Sequence, residues 1–281
     1  MFDWKLLRAL VMNQDFITSD KFLDLVNNHP NARYVKRDYI FRDGVWRGQF
    51  IKRSNNRNTR GFNIVVGHSD YSFSTNDFVR LKALGAKSIY ANNLNSIWGD
   101  FLPLGLCNNT NESKQHSIVG DVKPILKIFR SAPEKSTFPY KISANFSIDT
   151  FSQVRLKLYN DLRNLNHVNV KSPKITLSGR ASYLQEIYDS HMVIVPRGNG
   201  LDTHRFWETL YMGAIPIVVR KDLPKGIFDL GPLPVIVLQN WNQICNANFI
   251  YSEYDKVQSM HHQESLISFT NWKKILCRRF S

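Results

Sequence analysis

The chain has 281 residues, with 37 Lys and Arg against 23 Asp and Glu, for a formal net charge of +14. Its 43% hydrophobic and 12% aromatic residues exclude disorder as the main state and allow one large domain or two of ordinary size. The surplus of cations points to an anionic partner (nucleic acid, an anionic membrane or a phosphorylated small molecule) or serves only solubility.

Cys107, Cys245 and Cys277 form an odd, widely spaced set without a CxxC pair, which supports neither a disulfide framework nor a zinc site. No apolar stretch approaches the roughly 20 residues that cross a bilayer. The segment Leu6–Met12 is interrupted by Arg8 and lacks the apolar core of a signal peptide. The expectation is a soluble, cytoplasmic protein without a transmembrane segment.

In chain order, Tyr39–Arg42 and Val45–Arg47 flank Asp43-Gly44 and predict a hairpin. Ser54–Arg60 reads as a surface loop. Phe62–Val66 is a strand, Asn76–Leu84 a helix ending near Gly85, and Lys87–Ala91 another strand. The polar stretches Asn108–Gln115 and Ser131–Thr137 mark a domain boundary. Beyond them, Lys141–Phe146 predicts a strand, and Phe151, Val154, Leu158, Leu162 and Leu165 recur at helical spacing. Lys174–Leu177 reads as a short strand. Tyr183, Leu184, Ile187 and Tyr188 mark a helix face. Met192–Val195, Ile215–Val219 and Val235–Leu238 are apolar runs suited to strands buried on both faces. Phe206, Trp207, Leu210 and Tyr211 give the helix between the first two, with Gly213 at its C-terminal end. Glu264–Phe280 reads as a closing helix.

Alternation of strand and helix predicts parallel α/β architecture: two Rossmann-like, doubly wound domains over residues 1–135 and 136–261, with helix 262–281 packing back on the first. A ligand would lie in the cleft between them, at the C-terminal ends of the strands.

The segment His191–Arg220 concentrates the chemistry. A loop, Pro196-Arg197-Gly198-Asn199-Gly200-Leu201-Asp202-Thr203, runs into a helix expected to start near Thr203. Glycines let backbone approach a ligand, and N–H groups at a helix start favour an anion. Arg197 and Arg205 add fork-shaped donors suited to phosphate. Glu208 follows His204 and Arg205 by one turn, on their face, where a carboxylate can accept from vicinal ribose hydroxyls. Each part also has a plain structural reading: Glu208 with Arg205 as an ion pair, the glycines as loop punctuation, His204 as a cap or core residue. The conjunction describes a nucleotide-diphosphate site.

Pro196-Arg197-Gly198, Thr203-His204-Arg205-Phe206-Trp207-Glu208 and Gly213-Ala214-Ile215-Pro216 together resemble the signature of exostosin-like glycosyltransferases (glycosyltransferase family 47), over about 30 residues. Asn145-Phe146-Ser147 and Arg155 extend the resemblance more faintly, and similar segments occur in fucosyltransferase-like enzymes. The resemblance implies a GT-B fold, a donor domain formed by the second half, Arg205 on the diphosphate and Glu208 on the ribose. It further implies donor contacts from Ser147, Arg155, Arg197, Gly198, Asn199, Asp202, Thr203 and His204. The absence of an anchor resembles the short soluble members of large algal viruses, some of which transfer xylose, which implies UDP-xylose as donor and a host-cytoplasmic location.

The sequence contains no Asp-x-Asp, the usual metal motif of the other major glycosyltransferase fold. A metal-independent enzyme, with no cofactor, would neutralise the leaving diphosphate with Arg197, Arg205 and either Arg155 or Lys221. The first half would supply the glycan acceptor site and a general base for inversion. Asp70, in Gly67-His68-Ser69-Asp70 after a strand, is the first choice, equally readable as a turn residue. His68 is second and Asp100 a further candidate. Tyr71 and Trp98 suit stacking on sugar faces, and with Asp100 make up the expected acceptor contacts. The competing readings are a nucleic-acid-binding protein, for which Lys and Arg are too scattered, and a non-catalytic nucleotide-sugar or glycan binder.

Overall fold

The computed structural model describes residues 3–42, 45–52, 60–110, 114–131 and 140–281. The hairpin turn Asp43-Gly44, the loop from Ser54 up to Thr59, Asn111–Ser113 and the stretch from Ala132 through Thr137 lie outside the described residues.

Two helices without a clear sequence signature open the chain. In α1 (Trp4–Met12) the Asp3 carboxylate accepts from Lys5 N and Leu6 N, and in α2 (Ser19–Asn27) Thr18 accepts from Lys21 N. The expected hairpin follows as β1 (Ala32–Arg42) and β2 (Val45–Lys52), paired antiparallel with Arg42 opposite Val45. Then come β3 (Asn63–Gly67), β4 (Phe73–Ser74), α3 (Thr75–Ala83), β5 (Ser88–Ala91), β6 (Leu94–Asn95) and β7 (Asp100–Phe101). The first sheet runs β2-β1-β3-β5-β7, parallel except for the β2 edge, and β4 and β6 form a separate small pair. Helices α4 (Lys114–Val119) and α5 (Lys123–Ser131) lead out of this half.

The second half contains β8 (Ile142–Asn145), α6 (Ser152–Leu162), β9 (Val168–Lys171), α7 (Leu177–Tyr188), β10 (Met192–Ile194), α8 (His204–Tyr211), β11 (Ile215–Val219), β12 (Ile236–Leu238) and α9 (Ala247–Ser259). Lys174–Leu177, expected as a strand, instead leads into α7. Pro173 has no N–H for a ladder, and Thr176 caps the helix by accepting from Gly179 N at 3.0 Å. The strand in this region is β9, whose Val168 and Val170 alternate with polar residues. Gly213, with φ +66°, follows the last residues of α8 as expected.

The second sheet is ordered β12-β11-β10-β8-β9, with every neighbouring pair parallel. The chain goes from β8 outward to β9, then crosses back to β10 on the other side. The crevice at the carboxyl ends of β8 and β10 is therefore the topological switch point of the sheet. One face of this sheet, with α6 and α9, has its own apolar core around Leu158, Leu162, Ile217 and Ile250. On the other face, α7 and α8 share a continuous core with the first half, through Tyr188, Trp207, Leu210 and Tyr211 beside Leu7, Phe16 and Ile17. The two sheets are thus bound together beneath whatever cleft lies above.

The closing helix divides into a 3-10 turn (Glu264–Ile267) and α10 (Phe269–Phe280), started by Ser268, which accepts from Asn271 N. It packs on the first half. Trp272 meets Phe22 edge-on, Phe280 meets Tyr90, and the Phe280 carbonyl accepts from Asn31 and Asn63, both at 3.3 Å. Among the described residues no helix is long and apolar enough to cross a membrane.

Candidate functional site

The switch point is organised by Arg155, in the first turns of α6. Its Nε donates to Arg197 O at 2.8 Å, Nη1 to Ser147 O at 3.1 Å and Nη2 to Pro196 O at 3.1 Å. One guanidinium thereby holds together the loops that follow β8 and β10. All three acceptors are neutral carbonyls. Burial, and then the nearby charge of Arg205, push the Arg155 pKa down to about 9. Its side chain is only 5% exposed.

Helix α8 starts where the sequence predicts, because Thr203 accepts from Phe206 N at 3.3 Å and so acts as N-cap. Arg205 extends over the Tyr183 ring, with its Nε buried and without a hydrogen-bond partner. Among the described residues neither Arg155 nor Arg205 forms an ion pair with a carboxylate at contact distance.

Glu208 is not the open carboxylate that helical spacing suggested. It is 3% exposed, with Oε1 accepting from Arg180 Nη1 at 2.5 Å and Oε2 from the Tyr183 hydroxyl at 2.8 Å. Burial raises its pKa, but the charge of Arg180, the Tyr183 bond and Arg205 outweigh that and leave it lowered. Arg180 and Tyr183 lie three residues apart on α7, and the apolar stripe read from that helix concealed their polar role. Arg180 Nε is buried with no partner of its own.

The other wall of the cleft comes from the first half. Asp202 accepts from Leu104 N at 2.8 Å and from Trp207 Nε1 at 2.8 Å, and its own N–H donates to Asn93 Oδ1 at 2.6 Å. Asn93 in turn donates to Ser69 O at 2.6 Å, tying the loop after β3 to the glycine loop. Asp202 therefore joins the two halves, and its donor-contact assignment is corrected: both oxygens are spent inside the protein. Gly200 is explained the same way. A Cβ there would stand 2.3 Å from Asn93 Oδ1, so its close approach is to protein rather than ligand. At Gly198 the nearest atom, Arg155 Nη2, would be 3.5 Å away, which leaves room for a side chain.

Between these walls is a cleft of about 440 Å³ that brings together Asp70, Arg155, Asn199, His204, Arg205 and Glu208. Gly198, Gly200, Asp202 and Thr203 also border it, as do residues not among the expected site contacts: Cys107, His116, Lys174, Ile175, Arg180 and Tyr183. Burial pushes the Cys107 thiol up to about 11, reinforced by the charge of Glu208, so it is no ready nucleophile. Asp70 is exposed on the wall opposite the arginines.

Several expected contacts lie elsewhere. The Arg197 guanidinium folds back on its own loop, with Nη2 donating to Asn199 O at 3.1 Å and the group resting on the Phe151 ring. Its charge acts on Asp222. Lys221 is exposed in the 3-10 turn after β11. Ser147 bonds Asp149, contributing only its carbonyl to Arg155. His68 has both ring nitrogens committed, Nδ1 with the Tyr34 hydroxyl at 2.7 Å and Nε2 with Asp20 at 2.6 Å, which removes it as a base. Trp98 packs on Phe78, and Asp100 pairs with Arg279 at 2.7 Å. Tyr71 is 37% exposed and does not line the cleft.

Among the described residues no group of His, Cys, Asp and Glu is arranged to hold a metal ion. The cleft also offers two arginines that no carboxylate contacts at ion-pair distance among the described residues, beside the start of a helix, which together suit a polyanion. In comparisons with known proteins, the chain matches no family model and no curated sequence.

Proposed function

We propose that the protein is a metal-independent, inverting glycosyltransferase that takes a nucleotide-diphosphate sugar, with UDP-xylose as the preferred donor, and transfers the sugar to a glycan hydroxyl. The observation that carries this reading is the pair Arg155 and Arg205 in one wall of the cleft, the first buried and the second half-buried, with no carboxylate in ion-pair contact with either among the described residues. Burying the Arg155 charge among neutral carbonyls is costly, and an anionic ligand relieves the cost. A diphosphate leaving group needs that charge as the glycosidic bond breaks. The switch-point location and the resemblance of residues 196–216 to exostosin-like enzymes support the same reading, as does the division into two sheets that a GT-B arrangement requires.

In this mechanism Arg155 and Arg205 hold the diphosphate, aided by the first-turn N–H groups of α8. Glu208, fixed by Arg180 and Tyr183, places a buried negative charge near Arg205. Acceptor binding belongs to the wall that carries Asp70. The test is a thermal-shift panel of UDP, GDP and their sugars, with and without EDTA. A true donor at about 100-fold excess over its dissociation constant stabilises the fold by about 3 kcal/mol. A wild-type protein shifted by none of these nucleotides overturns the reading. Binding without nucleotide release favours the non-catalytic binder instead.

A further inference from the structure

We propose that His204, rather than Asp70, is the catalytic base that receives the acceptor proton; this rests on the glycosyl-transfer reading above. The geometry of the ring carries the argument. His204 is the first residue of α8, next to Arg205, yet its Nδ1 lies 2.8 Å from Gly105 O in the opposite half. The imidazole therefore stands where the donor wall and the acceptor wall meet. A carbonyl oxygen only accepts, so Nδ1 carries the proton of that bond. In the neutral ring this leaves the lone pair on Nε2. Nε2 has no partner among the described residues and is not buried, while the residue lines the cleft.

The other titratable groups of the cleft are less suited. Glu208 and Asp202 have both oxygens bonded inside the protein. His68 does not line the cleft and has both ring nitrogens bonded. His116 is exposed on α4, and Asp70 is exposed with no side chain to orient it. His204 combines a fixed orientation with an open basic atom, which is what a general base needs.

The acceptor oxygen forms a bond to the anomeric carbon as the bond from that carbon to the β-phosphate oxygen breaks, its electron pair leaving on the diphosphate. The acceptor hydroxyl proton passes to Nε2. The imidazolium then returns it to water, and Nδ1–H stays on Gly105 throughout.

His204→Asn tests this cleanly, because an Asn amide can replace the Nδ1 donor to Gly105 O while removing Nε2. UDP affinity, measured by calorimetry, is expected to stay within about threefold. UDP release from UDP-xylose, in the presence of a xylose-accepting glycan or of water alone, is expected to fall about 100-fold or more. The acidic limb of the kcat/KM pH profile should vanish with it, and added imidazole should restore release in His204→Ala. Long-range ¹H–¹⁵N correlation of the free protein should show His204 as the Nδ1–H tautomer. Release at the wild-type rate with an unchanged pH profile, while UDP still binds, overturns the assignment and leaves the glycosyl-transfer reading standing. The Nε2–H tautomer also overturns it. Failure of the wild type to bind UDP or any UDP-sugar removes the reading itself, and the assignment with it.

Discussion

Arg155 and Arg197, two cations that the sequence offers to one phosphate, are joined by a hydrogen bond from Arg155 Nε to the Arg197 carbonyl of 2.8 Å. Their roles have separated. Arg197 contributes backbone and turns its charge toward Asp222, while Arg155 braces two loops and lines the cleft. Arg205 is left as the cation with fewest internal obligations.

The two cleft arginines should therefore respond differently to substitution. Arg205→Ala removes no internal hydrogen bond donated by its guanidinium, so its thermal midpoint should remain near wild type. UDP binding should weaken by about 10- to 100-fold, the worth of charge-assisted bonds to phosphate. Arg155→Lys gathers its donors on one nitrogen, which cannot reach the carbonyls that Nε, Nη1 and Nη2 reach separately. It should lose about 1–3 kcal/mol of stability as well as affinity. Denaturant unfolding and calorimetry on both variants check this; equal loss of stability would contradict the division of labour.

Most strands and the start of α8 were legible because their causes are local: continuous apolar runs in β10 and β11, a Thr before the helix, a Gly after it. The Arg155 contacts were less so, since they join residues 42, 41 and 8 positions apart. Glu208 shows the limit most clearly. Helical spacing put it correctly on the Arg205 side of α8, but its partners come from α7, 28 and 25 residues away, and only packing decides that the carboxylate is buried. Likewise Gly200 signalled a close approach, and the sequence had no means of showing that the approaching group is Asn93.

Replacing Glu208 by Gln should cost stability before it costs chemistry. The variant leaves Arg180 buried with an uncompensated charge and sets an amide N–H₂ against one of two donors. Breaking a buried pair in this way costs about 3–5 kcal/mol. The sign with pH follows from the lowered pKa. Such a carboxyl stabilises the fold above its ordinary value of 4.5, and that contribution is lost as pH falls through the lower folded value. Wild-type thermal midpoints should therefore drop below pH 4.5 more steeply than those of Glu208→Gln. Equal slopes would show that Glu208 is not held in this way.

Asp202 behaves oppositely. Burial raises its pKa from 3.8 to about 7, against the opposing pull of the Leu104, Trp207 and Thr203 bonds. A carboxyl with a raised pKa contributes most stability below its unfolded value and loses it as pH rises through the folded one. The wild type should thus lose stability between pH 3.8 and about 7, and Asp202→Asn should lack that slope. Because the amide cannot accept at both former oxygens, the variant should also be about 1–3 kcal/mol less stable at pH 5. Midpoints taken across the range for both proteins decide the matter.

The two glycines of the loop provide the sharpest contrast, since neither lies in the left-handed region and only space distinguishes them. Gly200→Ala places a methyl 2.3 Å from Asn93 Oδ1, within the bridge that Asn93 makes between Asp202 N and Ser69 O. That bridge must shift, at a cost of about 1–3 kcal/mol for overpacking, and the wall bearing Asp70 should shift with it. Gly198→Ala meets nothing closer than 3.5 Å and should fold like the wild type. Its methyl would border the cleft beside Arg155, so any effect should be on nucleotide affinity. Parallel unfolding and UDP-binding measurements separate the two. If Gly198→Ala were the less stable protein, the assignment of Gly200 to the contact between the halves would be wrong.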